Sequence, residues 1–187
     1  MSTLEVNKIT PSTGTTITLG DSGDTFTIPS GVTLTNNGTA SGFGGGKIGQ
    51  VVNTTKTDTF STASGTYVDV TGLSASITPS SASSKVYVIL SLFISGDTQT
   101  GNYFTRINRG ATGLQETVVR LPQENQSVYR LYNVSMTDFD SPSSTSALTY
   151  KIQVLTNAGT LYVNRAGNQG GFSATSTATL TLMEVLA

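Results

Sequence analysis

The sequence predicts an all-β chain: a short N-terminal β-shaft or docking segment followed by a C-terminal jelly-roll-like β-sandwich. Three observations carry this. Short apolar-alternating runs recur along nearly the whole length, separated by Gly, Ser, Thr and Asn. Residues that branch at Cβ or carry a short hydroxyl favour pleated strands and tight turns over helices. The chain is also nearly free of chemistry-bearing side chains, with 11% charged residues and no His, Cys or Trp among 187 residues. Hydrophobic content of 36% is low for a globular domain. Disorder, however, goes with high net charge and few strand formers, and here the net charge is −1. An ordered β protein whose core is completed by other copies of itself fits both facts.

Residues 1–46 are organised differently from the rest. Their apolar residues come as isolated i, i+2 pairs: Leu4/Val6, Ile17/Leu19, Phe26/Ile28 and Val32/Leu34. Turn signals lie between them, at Pro11–Gly14, Gly20–Asp24 and Pro29–Gly31. Each pair puts two side chains on one face of a very short strand, too few to bury a core within one chain. Several chains pooling such strands around an axis would bury them, which predicts a shaft or docking segment. A flexible arm is the bland reading. The Gly-rich run from Asn36 to Gly46 reads as a linker.

From Lys47 to Ala187, strand-like runs follow at sandwich spacing. They are expected at 47–53, 66–70, 73–77, 85–95, 103–108, 114–120, 128–138, 148–155, 161–164 and 174–185. Nearly every residue from Lys85 to Ile94 is apolar, which marks a central strand covered on both faces. The run Ala178–Val185 alternates cleanly and closes the domain. Ten short strands suit a jelly-roll-like sandwich, and the second covered face of its central strand is expected to be a subunit contact.

Composition restricts the partners. A balanced charge gives no basic stripe for nucleic acid. No apolar run nears the roughly 20 residues of a membrane-spanning helix, so no membrane insertion is expected. Met1–Glu5 lacks a basic region followed by an apolar stretch, so no signal peptide is expected.

Parts of the chain resemble tail-fibre-like structural proteins of marine and cyanobacterial phages. The resemblance lies in Met1–Thr10 followed by Gly14–Gly20, in Ile77–Val86, in Phe139–Thr145 followed by Tyr150-Lys151-Ile152, and in Leu182–Val185. It implies a homotrimer carried on the virion and assembled in the host bacterial cytoplasm, with a trimeric fibre head at the C-terminus. On that reading residues 1–46 contact other virion proteins, and Leu4, Val6, Ile17, Leu19, Phe26, Ile28, Val32 and Leu34 are the candidate docking or shaft residues. The head projects outward as a short fibre or spike and engages a host-surface glycan or protein. A capsid decoration or cement protein that stabilises the outer capsid surface is the alternative.

Candidate chemistry is sparse. Gly44–Gly49 matches G-x-G-x-x-G, but a phosphate loop needs a strand before it and a helix after it, and Val51-Val52 reads as strand. Asp138 and Asp140 would point the same way on a strand, an arrangement open to a glycosidase carboxylate pair, yet turn chemistry at a strand end explains them more simply. Asp21 and Asp24 lack the bidentate Glu of a calcium loop and read as a polar turn. Without His or Cys, the commonest general base, the thiol nucleophile and the usual zinc ligands are missing. No catalytic residue, metal or cofactor is expected. The remaining candidates are Tyr103, Arg106, Arg109, Arg120, Arg130, Tyr162 and Arg165, taken as an exposed receptor or interface surface. Aromatic faces and guanidinium forks suit sugar rings and protein partners, though ordinary strand decoration and inter-subunit packing use the same side chains.

Overall fold

The computed structural model describes residues 9, 12–18, 20–33, 35, 48–120, 130–167 and 175–186. The chain divides into two compact units, Met1–Phe43 and Gly44–Ala187.

In the first unit the described residues form turns and no strand. Asp21–Asp24 closes with the Asp24 amide donating to the Asp21 carbonyl (3.0 Å), and Pro29–Val32 closes likewise (3.2 Å). Gly23 and Gly31 occupy the third turn position at φ 98° and 86°, where a type II turn needs glycine. The Asp24 carboxylate also accepts from the Asp21 amide (2.8 Å), so this acid is engaged within its own turn. Phe26/Ile28 is the one pair described in full, and it is not a strand in the single chain. Phe26 is 69% and Val32 59% exposed, with Ile17 and Ile28 exposed too. Leu4, Val6, Leu19 and Leu34 lie outside the described residues.

Among the described residues the second unit is a sandwich of ten strands: β1 (Ile48–Lys56), β2 (Phe60–Thr62), β3 (Val68–Ile77), β4 (Lys85–Gly96), β5 (Asn102–Arg109), β6 (Thr112–Arg120), β7 (Tyr132–Asp140), β8 (Leu148–Thr156), β9 (Leu161–Val163) and β10 (Ala178–Val185). One sheet runs β3-β8-β5-β6, and the other contains β1, β10, β4, β9, β2 and β7. All pairings are antiparallel.

The second sheet is four columns wide. Ile94 pairs with Tyr132 of β7 on one edge and with Val163 of β9 on the other. Val86 likewise pairs with Asp140 of β7 and Glu184 of β10. β9 and β10 therefore run end to end beside β4, with β2 and β1 end to end outside them. Numbering the eight long strands in chain order gives sheets 1-8-3-6 and 2-7-4-5, the jelly-roll topology of two Greek keys. At the open edges β1 lies against β3 and β6 against β7.

The core fills the space between the sheets. Val86, Val88, Leu90, Leu92 and Ile94 of β4 point inward with no exposure, facing Ile107, Tyr150, Ile152 and Val154 of the other sheet. Tyr87, Ile89 and Phe93 point outward and are only half-buried. The apolar run of β4 is therefore covered fully on one face alone, because no layer of the sandwich packs over the other.

Two departures from the expected strands have local causes. The runs at 66–70 and 73–77 are one strand, β3, whose register shifts between Asp69 and Ser74. Gly72 at φ 81° supplies the left-handed residue of this bulge, a conformation that mimics a turn signal in sequence. β2 has one apolar residue in three and exists through its pairing with β9. The expected strand at 128–138 begins at Tyr132, with residues 121–129 outside those described.

Buried polar groups lock the ends of the sandwich. Glu184 is 1% exposed, and it accepts from Gln50 Nε2 (2.9 Å), the Ser80 amide (2.6 Å) and Ser80 Oγ (2.7 Å). Burial pushes its pKa up, but these hydrogen bonds prevail and bring it down to about 2. At another corner Asn164, at φ 60°, donates to the carbonyls of Lys56 (2.9 Å) and Asp58 (3.1 Å), pinning the bend between β1 and β2. Tyr103 is enclosed by glycines. A Cβ at Gly96 would fall on its ring, and one at Gly101 would lie 2.6 Å from its hydroxyl.

Because the Glu184 pKa is depressed on folding, its contribution to stability is complete above about pH 4.5 and is lost as pH falls towards about 2. Glu184→Gln leaves one acceptor oxygen for the Ser80 and Gln50 donors and sets an amide NH2 against the other, and it should cost about 1–3 kcal/mol at pH 7. Denaturant melts at pH 7, 4 and 3 should show the gap between variant and wild type closing with acid; a constant gap would refute the assignment. Gly96→Ala should cost at least about 1–3 kcal/mol through overpacking against Tyr103, read as a drop in Tm by circular dichroism.

Candidate functional site

The structure distributes the seven surface candidates over separate places. Arg106 and Arg120 belong to the outer face of the β3-β8-β5-β6 sheet, Arg109 to the far end of β5, Tyr162 to β9 of the other sheet, between β4 and β2, and Arg165 follows just after β9. Arg130 is exposed just before β7 and has an interaction of its own.

Tyr103 is a correction. It is fully buried, and its hydroxyl donates to the Thr98 carbonyl (2.8 Å), so it presents nothing to a partner. Burial raises the phenol pKa above its ordinary value. Its sequence neighbourhood gave no sign of this, because the ring's enclosure comes from Gly96 at the end of β4 and Gly101 just before β5.

Arg109 and Asp140 form one buried network. Arg109 Nε stands 3.1 Å from Asp140 Oδ2, which also accepts the Tyr150 hydroxyl at 2.6 Å. Burial, and then the bond to Asp140, raise the Tyr150 phenol far above its usual range. Asp140 thus serves as a buried anchor between β7, β5 and β8, where a turn role was expected. Asp138 is part-buried on the same face.

Arg106 is the centre of a polar row across the outer face. Asp69, Gln153, Arg106 and Glu116 are cross-strand partners in that order. Arg106 donates to Gln153 Oε1 (2.6 Å), Gln153 donates to Asp69 Oδ1 (2.6 Å), and Lys151 Nζ reaches Asp69 Oδ2 (3.0 Å). The Arg106 guanidinium stacks on Tyr67, 3.9 Å from its ring centre. The Gln153 bond lowers the Asp69 pKa, opposed by burial and aided by Lys151. Burial, followed by the nearby Glu116 carboxylate, raises that of Tyr67. Every charge in this row has a neighbour, so it behaves as a solvated strand surface.

The β9 cluster is smaller. Arg165 stacks on Tyr162 at 4.3 Å, the Tyr162 hydroxyl stands 3.4 Å from Asp97 Oδ2, and Asp97 Oδ1 accepts the Thr160 amide at 2.7 Å. Arg120 donates to Asn102 Oδ1 (2.9 Å). Among the described residues no group of three acids could hold a metal ion. Nowhere do the candidates converge into one cleft.

The outer face of β4, expected from the sequence as a subunit contact, carries a row that the sequence reading did not assemble. Val51, Met183, Tyr87 and Phe139 are consecutive cross-strand partners over the whole β1-β10-β4-β7 sheet, all on its outer face. The signal was the outward half of the β4 run, together with an apolar residue out of phase in each neighbour. Only the register aligns them.

Arg106→Ala should cost about 1–2 kcal/mol by urea denaturation, from the lost stacking on Tyr67 and the Gln153 bond. No change in stability would mean that the guanidinium is free for a ligand.

No protein family matches the chain, and no curated protein does. Among solved structures it is similar to the T13 particle of infectious bursal disease virus at 15% identity and TM-score 0.41, over 76% of this chain and 36% of that one. It is similar to the vertex protein P5 of PRD1 at 15% identity and TM-score 0.42, over 75% and 99%. A Bacillus endospore appendage protein, from a family of disulfide-linked pili, follows at 14% identity and TM-score 0.36, over 80% and 100%. The chain spans about a third of the length of the first of these. At such scores the likeness assigns neither a family nor a role.

Proposed function

We propose that the chain is a non-enzymatic structural protein of a phage virion, a homotrimer forming a short fibre or spike that contributes to host-surface attachment. The observation that carries this is the state of the first unit. Phe26, Val32, Ile17 and Ile28 are exposed, and the described residues around them form turns and no strand. Exposed apolar side chains of this kind call for a partner, and a segment with two such residues per short stretch finds one most simply in copies of itself and in neighbouring virion proteins. The sequence resemblance to phage fibre proteins supplies the setting.

The head supports a binding role over a catalytic one. Its acids are used in hydrogen-bonded anchors such as Glu184 and Asp140. Attachment through three copies needs only weak contacts, since linked sites raise the effective concentration of one another.

Light scattering on the full chain at micromolar concentration should give about three times 19.4 kDa. A monomer would overturn the reading. Particles lacking the chain should lose tail density and host adsorption in cryo-electron micrographs; loss of capsid-surface density with adsorption intact would make it a decoration protein instead.

A further inference from the structure

The two outer faces of the sandwich differ in a way that a solvated monomer does not require. On the β3-β8-β5-β6 sheet the outward side chains include Asp69, Lys151, Arg106, Glu116 and Arg120. On the strands of the β1-β10-β4-β7 sheet, among the described residues, the outward charge is Lys85 alone, and it lies 5.1 Å over the Phe139 ring. Across this face runs the row Val51–Met183–Tyr87–Phe139, with Ile89 next to it along β4 and Phe93 further along the same face. Val51 is 56% and Phe139 50% exposed. Tyr87 and Phe139 meet edge to face at 6.0 Å, so the row is a packed ridge.

We infer that this face is a contact between copies of the chain, turned toward the neighbouring copies around the shared axis of the trimer. This rests on the self-assembly proposed above and assigns a surface to it. Three features favour another copy as the occupant. Depletion of charge at the centre, with aromatic and Met side chains present, is the composition of an interface core. A face with almost no charge can meet the neighbouring copies without like-charge repulsion or an unpaired buried ion, and it offers no charge pattern by which to select a foreign partner. The polar side chains beside the row already satisfy one another: Asn53 Nδ2 donates to Thr181 Oγ1 (2.7 Å), Thr55 Oγ1 to Asn53 Oδ1 (3.1 Å), and Asn133 Nδ2 reaches Ser91 Oγ (3.4 Å). Covering them therefore strands few hydrogen-bonding groups.

The area is adequate. Four strands at about 4.8 Å and about nine residues at about 3.4 Å give roughly 600 Å² of flat face, and side-chain relief brings this near the ~800 Å² per partner of a standard interface.

The test compares full-length wild type, Phe139→Asp and Val118→Asp by light scattering across a dilution series. Val118, 51% exposed on the other sheet, is the control. Phe139→Asp should weaken association by at least about ten-fold, as loss of a central aromatic anchor does, while Val118→Asp leaves it unchanged. The chain has no cysteine, so single-cysteine variants give a second reading that does not depend on adding charge. In the oligomer, Phe139→Cys should react with a maleimide at least about ten-fold more slowly than Val118→Cys and speed up on dilution, since a buried thiol is shielded by its partner. An oligomer unaffected by Phe139→Asp, with Phe139→Cys labelled as fast as the control, would overturn this surface and leave self-assembly standing. A monomeric wild type would overturn both. Protection of Phe139→Cys that appears only when another virion protein is added would overturn the same-chain occupant.

Discussion

The jelly roll depends on β4. Its five inward side chains lie at the middle of the core with no exposure, and its backbone is paired to β7 along one edge and to β10 and then β9 along the other. This arrangement holds the early, middle and last strands of the head in a single sheet. Among the eight long strands, consecutive ones change sheet at every step except β5 to β6, so each excursion of the chain must return to one side of β4 or to the opposite layer. The long-range pairing that follows makes β4 an unforgiving place for a change of register, because a slip by one residue would exchange its covered and open faces.

Around that axis the polar side chains act mainly as fasteners. Glu184 ties β10 to β1 and to the segment before β4; Asp140 ties β7 to β5 and β8; Asn164 ties the end of β9 to the bend after β1. Each bridges residues far apart in sequence and satisfies groups that burial would otherwise leave without water. A chain with few charged residues has committed two of its acids to these corners.

The legible part of the fold was the part that rests on local pattern. The unbroken run of β4 and the clean alternation of β10 identify strands by themselves, and the jelly-roll-like sandwich followed from their number and spacing. What could not be read depends on partners distant in sequence. Gly72 looks like a break until β8 is seen to continue past it, and β2 is invisible without β9. Tyr103 carries a hydroxyl, which suited a surface, whereas Gly96 and Gly101 make a niche that only the folded backbone reveals. The surface arginines were recognisable as residues but not as a site, since which of them meet is set by register: Arg106 joins Gln153 and Glu116, while Arg109 turns to Asp140.

The low apolar content then takes on a different meaning. Of the apolar side chains described, one set fills the space between the sheets, a second forms the ridge on one outer face, and a third stands exposed in the first unit. A chain poor in apolar residues that still leaves two such sets outside its core is not optimised as an isolated monomer, because each exposed aromatic or branched side chain forgoes about 1.5–3 kcal/mol of burial. The charged row on the opposite sheet shows that the sequence can decorate a strand face for water when it needs to. The apolar ridge is therefore a specific departure from that pattern, confined to one face and aligned by register, and a partner surface is the physical reason for such a departure.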